Sequence, residues 1–261
     1  MPDVLAQATL PELSLIVLAF FVGLTLFNVP IGFALERLLP RRRIFDVPLA
    51  EGQYRFELVG NLVFLAVTVT TFTAVLSSGL VRFGETSLLR DGLTFFVMAA
   101  GFQVYYYFLH RAMHHRALVR FHRWHHRSHV TTPLTGQSMS FVESCAWMIG
   151  YAGMPLAMSY VAPIGFWGWA AYLVVNVGGN IVGHANVEIT RSIKGIRWRS
   201  INANPFVYHA LHHARWTGHY SFQSSIMDRL CGTEWKDWPA LVQRVMDGRP
   251  LRSLKERAEP S

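Results

Sequence analysis

Residues 13–35 (LSLIVLAFFVGLTLFNVPIGFAL) carry no charged side chain. At about 1.5 Å per helical residue they are long enough to cross about 30 Å of hydrocarbon. Hydrocarbon offers no water to pair with backbone N–H and C=O groups, so a chain that enters it must be helical or close into a barrel. Runs of this length fit helices. Residues 58–81 and 92–109 repeat the pattern, and residues 144–163 and 164–183 add two apolar stretches interrupted by Pro155 and Pro163. With 51% hydrophobic and only 15% charged residues, the composition is that of one membrane-embedded all-α domain, not a water-soluble one. The expectation is a helical bundle of about four or five transmembrane or re-entrant helices.

Charge orients the runs. Arg37 and Pro40-Arg41-Arg42-Arg43 follow the first run and belong on the cytoplasmic side, which puts the amino terminus outside. The first run lacks a basic start, so a signal peptide is not expected. A polar loop with Arg82, Glu85, Arg90 and Asp91 then lies outside, and residues 92–109 return His110 to the cytoplasmic boundary. Residues 111–129 (RAMHHRALVRFHRWHHRSH) are too charged for hydrocarbon. Residues 144–183 read as a hairpin that leaves and re-enters on that same side, by crossing or by dipping. Residues 234–261 read as a surface helix and a frayed tail. The resulting division is 1–91 (amino-terminal membrane helices and loop), 92–235 (catalytic region) and 236–261 (surface tail). The net charge of +8 suits anionic lipid headgroups better than nucleic acid, because the arginines flank membrane ends and histidine clusters. Cys145 and Cys231 form no CxxC and are expected to be small buried hydrophobes.

Three histidine clusters interrupt the apolar pattern: His110-x-x-x-His114, His122-x-x-His125-His126 and His209-x-x-His212-His213. Residues three and four apart share a helix face, so each cluster aims its imidazoles one way. Neutral imidazole is the commonest protein ligand for Fe, Zn and Cu, and eight imidazoles exceed what one ion accepts. Two metal ions in a cytoplasmic helical cap are the expectation. On one straight helix His110 and His122 would stand about 18 Å apart, far beyond metal bonds of about 2 Å. The chain is therefore expected to turn between His115 and Arg120. His115 lies off the face of His110 and His114 and is left out. His184 stands where an apolar run reaches the cytoplasmic boundary and is included. His129, near a helix end, and His219, beyond a Gly218 expected to end the third-cluster helix, are possible additions. No carboxylate lies inside a cluster. Glu143, Glu188 and Asp228 are candidates to offset the positive charge from outside, and Gln103, Asn180 and Asn186 to orient imidazole N–H groups.

The order HRxxH, HxxHH, an isolated histidine, then HxxHH followed by Asp228-Arg229-Leu230-Cys231-Gly232-Thr233 resembles the fatty acid hydroxylase superfamily, also called the sterol desaturase family. The resemblance covers residues 95–235. It implies a membrane di-iron, non-haem oxygenase that activates O2 and attacks an unactivated C–H bond of a lipid, with hydroxylation or desaturation as the outcome. By matching position it implies His110, His114, His122, His125, His126, His184, His209, His212 and His213 as ligands. The substrates it implies are apolar lipids of fatty acyl, sphingolipid, sterol or carotenoid type. Two departures stand out: Gln103 where family members often have Asp, and Ser140-Phe141-Val142 before Glu143 where many have His-Pro.

No GxGxxG, P-loop or haem-attachment CxxCH is present, so electrons are expected from a separate carrier protein. The expected setting is a multi-pass membrane protein of a bacterial inner membrane, or of the endoplasmic reticulum in a eukaryote, with its active site on the cytoplasmic side. A membrane zinc hydrolase is the alternative enzyme, but its usual HExxH is missing. A metal carrier is the non-enzyme alternative, but its polar groups would follow a midplane path.

Overall fold

The computed structural model describes residues 1–190 and 204–258. Among the described residues there are helices, turns and isolated β-bridges, and no strand. Three helices are long and apolar enough to cross a membrane: α1 (Leu10–Leu38), α2 (Gln53–Ser77) and α3 (Leu88–Met113). Helices α1 and α3 run past both ends of the apolar stretches that announce them, whereas α2 starts before residue 58 and ends at Ser77, short of residue 81. Glu12 accepts the Thr9 N–H at 2.8 Å ahead of α1, and Ser87 Oγ accepts the Arg90 N–H at 3.2 Å ahead of α3.

The expected hairpin is present and begins slightly earlier. Ser140 caps α4 (Phe141–Met148), a π-helical turn at Ile149–Gly153 follows, and α5 (Met154–Val161) carries on to the tip. Pro155 falls in the first turn of α5, where a missing N–H costs least. Helix α6 (Phe166–Gly183) returns, packed against α1 and α3, while α4 packs against α2. At the tip, Ile164 exchanges backbone hydrogen bonds with Arg82 and Gly84 of the α2–α3 loop, each 3.0 Å. The hairpin therefore runs the depth of the bundle. Phe64, Phe72, Met98, Phe102, Tyr151, Trp169 and Tyr172 fill the core between these helices.

A second core lies beyond the bundle, at the end reached by the carboxyl termini of α3 and α6. Helix α7 (Phe206–Arg215) turns Val207, Tyr208, Ala210 and Leu211 toward Trp238, Leu241, Val242 and Val245 of α8 (Trp238–Met246). Ile44, Phe45 and Leu251 complete it, and Leu251 exchanges backbone hydrogen bonds with Ile44 and Asp46. The expected surface helix is α8, amphipathic, with Gln243 exposed and Leu241 and Val245 buried. One face of α8 is buried, and residues up to Leu251 are held because α7 needs an apolar partner on its non-histidine side. Residues 259–261 of the expected frayed tail lie outside the described residues. The cysteine expectation is corrected. Cys145 is exposed on the outer face of α4, whose inner face is Glu143, Ser144 and Trp147, and Cys231 is half-buried.

Candidate metal centre

The last turn of α3 carries His110, and His114 follows directly as its cap. The chain then turns through residues 114–118 without Gly or Pro, as the length argument requires. A single helical turn, Val119–His122, delivers His122, and a 3-10 turn, His125–Arg127, delivers His125 and His126. Helix α6 ends in a tight turn, with the His184 N–H bonded to Ile181 O at 3.3 Å. That frees Asn180 O to accept the His184 Nδ1–H at 2.6 Å. His209, His212 and His213 lie on the face of α7 opposite the second core.

These nine imidazoles, all buried except the half-buried His114, fall into two groups, within each of which the ligand atoms lie within 4.8 Å of one another. One holds His110, His114, His122, His126 and His212, the other His125, His184, His209 and His213. The groups adjoin, with the rings of His126 and His213 4.6 Å apart. His110 and His114 close α3 and His184 closes α6, so the site lies at two helix carboxyl termini, each presenting roughly half a negative charge to a cation.

Tautomers follow from the partners. Backbone carbonyls, which only accept, face Nδ1 of His110 (Tyr220 O, 2.7 Å), His125 (Ser138 O, 3.3 Å), His212 (Gly218 O, 2.7 Å) and His213 (Ser128 O, 3.0 Å). Glu143 Oε1 faces His122 Nδ1 at 2.7 Å. Each carbonyl-facing Nδ1 therefore carries the proton, and the Nε2 of each of those four rings turns a lone pair inward. Nε2 of His184 and of His213 both point at Nε2 of His209, at 3.1 and 3.2 Å, and one shared proton cannot satisfy both. Nε2 of His110, His114 and His122 are buried with no protein partner. Convergent, unsatisfied lone pairs in a dry site fit cations. Burial keeps the imidazoles neutral, as ligation requires: His125 is pushed down to about 4, His184 to about 3 and His114 to about 2.

The other expected residues stand elsewhere. His115 is exposed, and His129 only accepts from Trp216 Nε1 at 3.4 Å. His219 belongs to neither group. Its ring stacks on Tyr208 at 3.6 Å, because the helix ends earlier than Gly218, at Arg215, with Trp216 in the left-handed region (φ 69°). Gln103 bonds Gln223 and Asn186 clamps Phe45, so neither amide reaches an imidazole, and Asn180 acts through its carbonyl. Main-chain carbonyls do the orienting instead. Of the three expected carboxylates, only Glu143 touches an imidazole. Glu188 Oε2 accepts the Val207 N–H at 2.9 Å and so caps α7. Asp228 accepts from Tyr220 N (2.9 Å), Ser221 N (2.8 Å), Tyr208 OH (3.0 Å) and Thr233 Oγ1 (2.6 Å), fixing the loop whose carbonyls hold His110 and His212.

Beside the second cluster lies a cavity of about 10 Å³, lined by Tyr106, His122, His125, Met139, Glu143, Trp147, Tyr151 and Asn180. It has room for about one water. Tyr106 is half-buried against the bundle core, and Trp169 is buried within it.

Apolar helices that end in two adjoining imidazole groups define a class of histidine-cluster membrane proteins. Residues 95–233, more than half of the chain, match the sequence profile of the fatty acid hydroxylase family, and the chain belongs to that family. Among similar proteins, very-long-chain aldehyde decarbonylase GL1-6 of Oryza sativa subsp. japonica is 30% identical over 147 residues, 55% of this chain and 23% of the relative. Very-long-chain aldehyde decarbonylase CER1 of Arabidopsis thaliana is 29% identical over 151 residues, 54% of this chain and 23% of the relative. Protein CER1-like 2 of Arabidopsis thaliana is 32% identical over 138 residues, 49% and 21% respectively. The matched part of the chain thus spans between a fifth and a quarter of the length of these relatives. No solved structure matches it.

Proposed function

We propose that the chain is an integral membrane, non-haem di-iron oxygenase that hydroxylates or desaturates an unactivated C–H position of a lipid, with O2 as oxidant and electrons from a separate carrier protein. Residues 92–235 form its catalytic region, and the nine clustered histidines hold the two irons. The observation that carries this reading is the convergence of imidazole lone pairs beside a cavity walled by Tyr106, Met139, Trp147 and Tyr151 together with Glu143 and Asn180, at the end of helices built for hydrocarbon. When bound, the irons supply O2 activation and the removal of a hydrogen atom.

The chain's own residues do the rest. The carbonyls of Tyr220, Ser138, Asn180, Gly218 and Ser128 hold five of the nine imidazoles, those of His110, His125, His184, His212 and His213, in one tautomer and one orientation. Tyr106, Met139, Trp147 and Tyr151 give the cavity an apolar wall that suits a methylene and excludes water. A lipid tail enters only if these walls move, because the cavity of about 10 Å³ holds no more than a water. Which carbon sits there decides between alcohol and alkene.

The arginines at 41–43 and 111–127 support a cytoplasmic site, in a bacterial inner membrane or the endoplasmic reticulum, and α4–α6 then complete a five-segment bundle. The named activity of the relatives makes a very-long-chain aldehyde the first substrate to supply, before fatty acyl, sphingolipid, sterol or carotenoid lipids.

The test is lipid analysis of cells with and without the gene under 18O2. The reading expects a lipid that gains one labelled oxygen or loses two hydrogens only when the gene is present. An unchanged lipid profile in iron-loaded, reductant-supplied membranes contradicts it.

A further inference from the structure

Glu57 lies on α2, outside the part of the chain that matches the family, and its side chain is fully buried. Four neutral donors meet it: Gln53 Nε2 at 2.9 Å, Ser128 Oγ at 2.7 Å and Thr135 Oγ1 at 2.6 Å on Oε1, and Thr132 Oγ1 at 2.7 Å on Oε2. None of the ion pairs among the described residues includes it. A buried carboxylate held only by neutral groups lacks a counter-charge, and burying such a charge is costly.

The donors show where the counter-charge belongs. Ser128, Thr132 and Thr135 lie on the loop that joins the second histidine cluster to the hairpin. That loop orients one metal group. Ser128 O receives the His213 Nδ1–H at 3.0 Å, and Ser138 O receives that of His125 at 3.3 Å. Asn180, whose carbonyl receives that of His184, also donates its amide to Gly136 of the loop. Gly136 permits the contact, since a Cβ there would stand 2.8 Å from Asn180 O. His125, His184 and His213 all belong to the four-histidine group. The other group draws its orientation elsewhere: His110 and His212 from the 218–220 loop, His122 from Glu143.

We propose that Glu57 is a positioning residue for the His125–His184–His209–His213 metal site: it anchors the loop that aims those imidazoles and supplies the negative charge that balances the ion. The proposal rests on the metal reading above. Loss of the charge weakens one site and spares the other, by about 10-fold to 100-fold for an outer partner of this kind.

Full-length protein in lipid nanodiscs, stripped with chelator, is titrated with Co²⁺ alone, and the two absorption signatures are assigned with His114→Ala and His184→Ala. Wild type is expected to take two Co²⁺. Glu57→Gln is expected to weaken only the signature lost in His184→Ala, and Glu57→Asp, which keeps the charge, to restore most of it. Ser128→Ala, which removes one donor and leaves the carboxylate, keeps the proposal testable if Glu57→Gln folds poorly. It is expected to weaken the same signature, to a smaller extent. Equal weakening of both signatures, no weakening of either, or no recovery in Glu57→Asp overturns the role of Glu57. A wild type that binds no Co²⁺ contradicts the metal reading itself.

Discussion

His115 and His125 come from the same basic, histidine-rich stretch, yet the first is exposed and the second buried among imidazoles. Replacing His125 or His212 with Ala removes a convergent lone pair, and each is expected to cut bound metal at least about 10-fold in affinity, judged against the effect of lesser outer partners. His115→Ala is expected to leave metal content unchanged. Elemental analysis of the three variants checks this, and equal losses in all three would contradict the grouping. Protons act on the same residues. Burial holds His125 at about 4 and His184 at about 3, whereas an unfolded chain titrates near 6.5. Between those values the unfolded chain binds protons that the folded one refuses, so stability falls as pH falls. The thermal midpoint of metal-free protein is expected to stay level above about pH 7 and to drop between about pH 6.5 and 4. A midpoint that does not change across that window would contradict neutral, buried imidazoles.

Helix α7 works on two faces at once, histidines toward the metal groups and Val207, Tyr208, Ala210 and Leu211 toward α8. Arg215, at its end, pairs with both oxygens of Asp237 at 2.9 and 2.7 Å, which locks the two helices. Leu241 is fully buried on α8, so Leu241→Ala is expected to cost about 2–5 kcal/mol and to loosen metal held by His209 and His213. Thermal unfolding with and without metal measures it, and a midpoint equal to wild type would show that α8 is not the support of α7. Such support was not legible in the sequence, because residues 234–261 are polar enough to read as surface and the burial of α8 depends on a distant partner. The long helices and the histidine spacing were legible because both are local periodicities. The turn at 114–118 was legible only through length, since no residue there marks it. Main-chain carbonyls that orient imidazoles carry no side-chain signal at all, which is why Gln103 and Asn186 drew attention and Tyr220, Gly218 and Ser128 did not. Glu57 was hidden for a related reason: a lone acid near a helix start reads as an interfacial residue.

On the scale of the molecule, a shared site requires that the α1–α2 connection, the second cluster and the end of α7 lie on one side of the membrane, with the α2–α3 loop on the other. With Cys145 and Cys231 replaced by Ser, single cysteines at Arg41, Arg127 and Thr217 are expected to react with an impermeant reagent from the cytoplasmic side alone, and one at Glu85 from the opposite side alone. Labelling of Thr217 and Arg127 from opposite sides would separate the histidine clusters by a bilayer. The central claim, that two adjoining imidazole groups form one two-metal centre, is tested most directly by the iron content of full-length protein reconstituted under anaerobic conditions and read by Mössbauer spectroscopy. Two irons per chain are expected, giving two ferrous environments with nitrogen-rich ligation, one from each histidine group. Saturation at one iron, or iron that washes off with the membrane lipids, would contradict the account.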